Sequence, residues 1–218
     1  MDGDRPCLWF QCHRSLPIYP PAVSDHPSSE PPFETFSRTQ LLAAMGITAI
    51  VLLIVARLWL WLDDIRLLPA YVTPIALGLG VGLGVAITLL SEVAYRLWQP
   101  YRMSADIYLA LVLKPLKVSD LIWLGVLPGM SEELLFRGVI LPAIGMNGFG
   151  VLISSLCFGV MHFFGARHLP YVIWATLIGV LLALSALFTQ NLLVPVVAHI
   201  TTNILSSYLW KQRRSNKA

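Results

Sequence analysis

A chain of 218 residues that is 56% hydrophobic and only 12% charged, with a mean hydropathy of +0.71, does not have the composition of a soluble domain, which carries about 25% charged residues. It reads as an integral membrane protein, long enough for one bundle of about six spanning helices of roughly 20 residues each. The net charge of +3 does not suggest nucleic-acid binding, and the odd count of three cysteines, Cys7, Cys12 and Cys157, implies no structural disulfide.

Residues 1–38, with SLPIYPPAVSDHPSSEPPFE, are rich in Pro, Ser and acids and read as a flexible N-terminal tail. Its opening lacks a cationic segment followed by an apolar run, so a cleaved signal peptide is not expected. Cys7, Cys12 and His13 lack a fourth ligand and are taken as chance neighbours rather than a metal site. The first predicted span covers about Gln40 to Leu62. The second covers about Ala70 to Tyr95, where the small residues of GLGVGLGV would admit a close neighbour. Arg96 to Asp120 is apolar with cationic edges and should lie along the interface. The third span, about Leu121 to Ile140, is expected to break at Pro128 and Gly129. Three further spans follow at about Asn147 to Phe164, Pro170 to Phe188 and Leu192 to Trp210, and residues 212–218 form a short basic tail. The membrane domain thus occupies residues 39–211.

Six crossings put both termini on one side. Under that count Arg96, Arg102, Lys114, Lys117, Arg167, Lys211, Arg213, Arg214 and Lys217 fall on the same side as the termini. The opposite connections, DDIR, LPAIGMNG and TQN, contain one basic residue, Arg66. Basic residues stay on the cytoplasmic side, so both termini are expected there, in a multi-pass protein of the cell membrane.

Polar residues within the apolar spans are costly and therefore informative. Between Arg137 and Lys211 the only Asp, Glu, Lys or Arg is Arg167. Glu133 and Arg137 are four residues apart, so on a helix they share a face and can pair. Glu132 points about 100° away from Glu133 with no cation at equivalent spacing, which leaves it free to face a cavity and take a proton from water. The alternative is that both acids only pair with Arg137 as a buried ion cluster. Phe158 and His162 lie one turn apart, as do His199 and Asn203. A histidine on a helix is more often a hydrogen-bonded core residue than a catalyst, and polar side chains also hold membrane helices together. On three separate elements, a carboxylate, two imidazoles and an amide supply a base, a second water-orienting group and donors for an oxyanion.

EELLFRG, SSLCFGVMH and TQNLLVPVVAHITTN resemble the EExxxR, FxxxH and HxxxN motifs of the CAAX protease and bacteriocin-processing family of intramembrane endopeptidases, over about Pro128 to Asn203. The resemblance implies that Glu132 acts on water, that His162 assists, and that His199 and Asn203 hold the developing oxyanion. Glu133, Arg137 and Phe158 are supporting residues. Gln190 departs from the pattern, since the family commonly has glycine in that turn. No metal is favoured; the alternative is zinc held by Glu132, His162 and His199.

The expectation is therefore an all-α polytopic bundle with a buried polar cavity where the third, fourth and sixth spans meet. Its function would be hydrolysis of peptide bonds in a membrane-held protein, a lipidated protein or a leader peptide. The alternatives are a non-catalytic membrane adaptor or immunity protein, and a proton-linked transporter, against which the absence of an internal repeat counts.

Overall fold

The computed structural model describes residues 36–215. The Cys7, Cys12 and His13 cluster, Lys217 and nearly all of the N-terminal tail lie outside them. Among the described residues there are eight α-helices: α1 Arg38–Leu62, α2 Pro74–Leu97, α3 Gln99–Leu113, α4 Leu121–Glu133, α5 Leu141–Ile144, α6 Gly148–Val160, α7 Leu169–Thr189 and α8 Leu193–Ser215. Between α4 and α5 the helix continues as a π-helix, Leu134–Ile140. Among the described residues there is no strand, as the all-α reading expects.

Local signals set most boundaries. Ser37 caps α1 through a reciprocal box with Gln40, so that helix begins inside the segment read as tail. Thr73 caps α2 and is followed by Pro74 at the first helical position. Asn147 accepts from the N–H groups of Phe149 and Gly150 to start α6. α8 runs on to Ser215, which makes residues 212–215 helical where a tail was expected. α7 ends on Gln190, whose φ of 48° lies in the left-handed region. Glycine is the usual residue there because it has no Cβ to strain. Gln190 partly compensates by donating its side-chain amide to Leu187 O at 2.6 Å.

By length and composition, α1, α2 and the segment Ala166–Thr189 are each sufficient to cross a membrane. Three further passes differ from an ordinary span for a shared reason. The α4 to α5 segment changes its hydrogen-bond register midway, α6 has only 13 residues, and α8 carries a polar face with His199, Thr202, Asn203 and Ser207. These passes bound the polar interior. The outer faces of α1 and α2 present Ile47, Ile50, Ile54, Ile75, Leu79 and Leu89 outwards, as surfaces facing acyl chains require.

The two ends of the bundle are tied by different groups. At one end Arg38 grips Asp120 with two hydrogen bonds of 2.6 and 2.7 Å, and Lys211 Nζ donates to Leu113 O and Leu116 O. The Arg38 guanidinium, and then the Lys117 N–H, lower the Asp120 carboxyl from its ordinary 3.8 to about 2. This clasp is thus fully present above about pH 4 and is lost as the pH falls through about 2. At the other end Asn191 accepts from Tyr71 N, returns a bond to Tyr71 O, and accepts from Leu193 N, all within 3.0 Å. Leu68 N donates to Gly138 O at 3.1 Å and Leu192 N to Pro69 O at 2.8 Å. Both described termini therefore lie at the Arg38–Asp120 end, with α3 and the Arg167 turn.

The glycine-rich stretch of α2 packs as its composition implies. A Cβ at Gly80 would come within 2.6 Å of Val197 Cβ, and one at Gly84 within 2.6 Å of Thr201 Cβ. These two glycines seat α2 directly on α8, the helix that carries His199 and Asn203.

Candidate active site

α4 does not break at Pro128; it remains α-helical through that residue to Glu133. Proline nonetheless removes one N–H, so the carbonyl four residues earlier, Leu124 O, loses its helical donor. Asn203 Nδ2 of α8 approaches that oxygen at 3.5 Å. Gly129 lets α8 come close, since a Cβ there would lie 2.6 Å from Ile200 Cγ1. The expected break is therefore a local defect in the α4 hydrogen-bond ladder against which α8 is seated.

The register changes instead after Glu133. Along the π segment two carbonyls take tertiary donors: Phe136 O, which already accepts from Leu141 N, also accepts from Ser154 Oγ at 2.9 Å, and Gly138 O accepts from Leu68 N. Such segments are rare and frequently mark functional sites.

At this junction Glu133 and Arg137 are both fully buried. Arg137 Nη1 donates to Glu133 Oε1 at 2.7 Å, and Nη2 donates to Gly179 O at 2.8 Å. The guanidinium also lies 4.4 Å from the centroid of the Phe158 ring. Glu133 Oε1 takes a second partner, His199 Nδ1, at 2.8 Å. A carboxylate only accepts, so this contact places the proton on Nδ1 and leaves His199 Nε2 for other work. His162 is arranged in the same manner: its Nδ1 lies 3.0 Å from Phe158 O, and a carbonyl oxygen likewise requires N–H on Nδ1. Phe158 separates the two imidazoles, 5.1 Å from the His162 ring and 5.7 Å from the His199 ring. It is therefore the apolar hub of the cluster as well as the ceiling over Arg137.

His162, His199, Asn203 and Phe158 line one cavity together with Tyr101, Tyr171 and Trp174. About 140 Å³ is open to water centres, room for on the order of ten molecules. The cavity lies between α2, α3, α6, α7 and α8; the third predicted span, here α4, lines none of it, and α2, α3 and α7 wall it instead. Near its mouth Arg213 pairs with Glu92, which also accepts from Arg96 Nε at 2.8 Å.

Glu132 occupies a different position from the one expected. It is not among the residues lining this cavity; it is half-buried, and its Oε2 is enclosed without a hydrogen-bond partner. Among the described residues, no three His, Cys, Asp or Glu side chains stand together to hold a metal ion, so Glu132, His162 and His199 do not form a ligand set as placed. Cys157 is a free thiol on the exposed side of α6.

Several site-forming contacts have no clear local signal. The Glu133 to His199 bond spans 66 residues, and Ser154 gave no motif. Gly179 gave a faint one, as a lone glycine inside an apolar helix. A Cβ there would stand 3.1 Å from Phe158 Cδ1 and 3.2 Å from Arg137 Nη2, so its absence is what lets the guanidinium reach the α7 carbonyl.

The fold and site together define an integral membrane helical bundle in which a buried carboxylate, guanidinium and imidazole cluster borders a cavity of about 140 Å³. Residues 114–205, the segment that holds all three motifs, match the family described as Type II CAAX prenyl endopeptidase Rce1-like. The chain is 32% identical over 121 residues to the uncharacterized protein YpbD of Bacillus subtilis (strain 168), an alignment covering 55% of this chain. The matched region spans 61% of the length of that relative. No solved structure matches the chain significantly.

Proposed function

We propose that this protein is an intramembrane endopeptidase that uses a glutamate and a histidine to activate water against a peptide bond. The observation that carries the reading is the pair of imidazoles held over one cavity, each with Nδ1 committed to a fixed acceptor and Nε2 left free. Fixing one ring nitrogen sets both the tautomer and the orientation of the other, as a proton-transfer or oxyanion-binding role needs. In this scheme Glu132 accepts the proton of the attacking water and His162 Nε2 orients that water. His199, in its imidazolium form, and the Asn203 amide donate to the oxyanion that develops on the carbonyl. Glu133 and Arg137 keep His199 in place. The chemistry needs no metal, and zinc is the alternative that a chelator tests.

The substrate is a membrane protein, a lipidated protein or a leader peptide, because a cavity between membrane helices is reached by chains already held at the bilayer. Turnover of a membrane-tethered reporter peptide by the purified protein tests the reading. His162→Ala and His199→Ala should each lower turnover by roughly 10²-fold or more in correctly folded protein. Near-normal turnover in both would overturn it. Loss of wild-type turnover on chelation, restored by zinc, would replace the metal-free scheme with the metal-dependent one.

The basic residues gathered at the Arg38–Asp120 end orient that end, both termini and the cavity mouth towards the cytoplasm. An introduced cysteine near Asn147 should then react with an impermeant thiol reagent added to intact cells, and one near Ser215 should not. The reverse pattern would invert the topology.

A further inference from the structure

The cavity has a shape as well as a lining. Along α8 it touches His199, Asn203, Ser206, Trp210 and Arg213, residues spaced alternately by four and three, which is one face of the helix followed for almost four turns. At 1.5 Å per residue the space therefore runs about 21 Å, from the buried imidazole to the charged end of the bundle. α2 follows it alongside with Thr88, Ser91 and Tyr95. A volume of about 140 Å³ spread over that length is thin. Waters hydrogen-bonded to one another stand about 2.8 Å apart, so the roughly ten that fit make little more than a single file. An extended polypeptide with its side chains takes about 5 by 10 Å and is too wide to pass.

The walls suit water. Thr88 Oγ1 gives its proton to Gly84 O at 2.8 Å and Thr202 Oγ1 to Ala198 O at 2.9 Å, which leaves both oxygens with lone pairs to accept from water. At the outer end Arg213 pairs with Glu92 and lies 4.7 Å from the centroid of the Tyr95 ring, whose hydroxyl donates to Asp106 at 3.0 Å. Hydroxyls between membrane helices also serve as packing glue, and Thr202 does so through Gly84 O at 3.2 Å. Ser206, half-buried on the same stripe midway between His199 and Arg213, is the position at which the passage itself is probed. We propose that this space is the water supply of the active centre, a hydroxyl-walled file leading from the Glu92–Arg213 mouth to His199 and closed by its width to the peptide, which meets the imidazoles by another way. Each bond hydrolysed consumes one water, and the acyl chains around the bundle hold none. The proposal rests on the hydrolysis reading, whereas the labelling that tests the passage does not.

Ser206→Cys, in a chain with Cys7, Cys12 and Cys157 changed to alanine, places a thiol midway along the file. In lipid nanodiscs, which expose both faces, a small charged methanethiosulfonate should modify it at least about 10²-fold faster than Leu90→Cys on the exposed apolar side of α2, since the thiolate is the reacting form and needs water to exist. The adduct fills the bore. With the reporter peptide the modified protein should then show kcat lowered about tenfold or more, delivery of water having become the slow step, at unchanged KM, and a reductant that removes the adduct should restore it. The same folded molecules are measured before and after, so misfolding does not enter. Equal labelling of the two thiols, or an unchanged kcat after labelling, overturns the passage, and so does a rise in KM, which would put the peptide inside it. Fast labelling of a protein that cleaves nothing would leave the passage standing and sink the hydrolysis reading.

Discussion

Glu132→Gln should produce a protein that reaches the membrane, folds normally and cleaves its substrate roughly 10²- to 10⁴-fold more slowly, the range associated with removing a general base. The amide preserves the size of the side chain and can still hydrogen-bond, but it cannot take a proton from water. Glu133→Gln should behave differently, because the two adjacent acids have different surroundings. Glu133 is fully buried and holds both Arg137 and His199, so its loss should reduce stability and, through a misplaced imidazole, activity. Reporter turnover and thermal stability in detergent, measured on both variants, separate the roles. A Glu132→Gln protein with near-normal turnover would end the proposed mechanism and favour the non-catalytic adaptor instead.

Arg137→Ala should destabilise the protein by about 3 to 5 kcal/mol, the usual consequence of leaving one member of a buried ion pair alone. Several partners lose at once in that variant. Glu133 keeps its charge without the guanidinium, Gly179 O loses a cross-helix donor, and Phe158 loses the cation beneath its ring. Since α4, α6 and α7 all meet at this side chain, the expected result is low yield of folded protein and a large fall in thermal stability. Arg137→Lys should recover only part, because an ammonium cannot reach Glu133 Oε1 and Gly179 O with the geometry of a planar fork. Wild-type stability in Arg137→Ala would show that the pair contributes little to the fold.

Periodicity made some of this architecture legible and was blind to the rest. The spacing of Glu133 and Arg137 gave their contact, because a four-residue interval is a property of any helix. The small residues of GLGVGLGV likewise announced a close approach, although only Gly80 and Gly84 make it; Gly78 and Gly82 face open space. The π-helix left no such trace. Two of its carbonyls, Phe136 O and Gly138 O, are met by donors far away in the chain, Ser154 and Leu68. Proline at position 128 suggested an interruption five residues too early, since a helix tolerates one missing donor when its carbonyl meets another chain element. The pairing of His199 with Glu133, and the seating of α3 beside His162, are products of packing. No window of sequence contains both partners. The Asn191 clasp is of the same kind, joining Tyr71 to the start of α8 across 120 positions.

The segment Leu134–Ile140 carries one more implication, for how the chain can tolerate changes in length. Each residue advances an α-helix by about 100°, so a residue gained or lost there, with the pitch not absorbing it, would turn everything before it against everything after it by roughly a quarter of a circle. Glu132 and Glu133 would be rotated relative to Gly138 and the loop docked on it, with no side chain altered. Point substitution can therefore retune this centre gradually, whereas an insertion or deletion of one codon inside those seven residues acts as a switch of face. Libraries built on this scaffold should vary composition in that stretch and hold its length fixed.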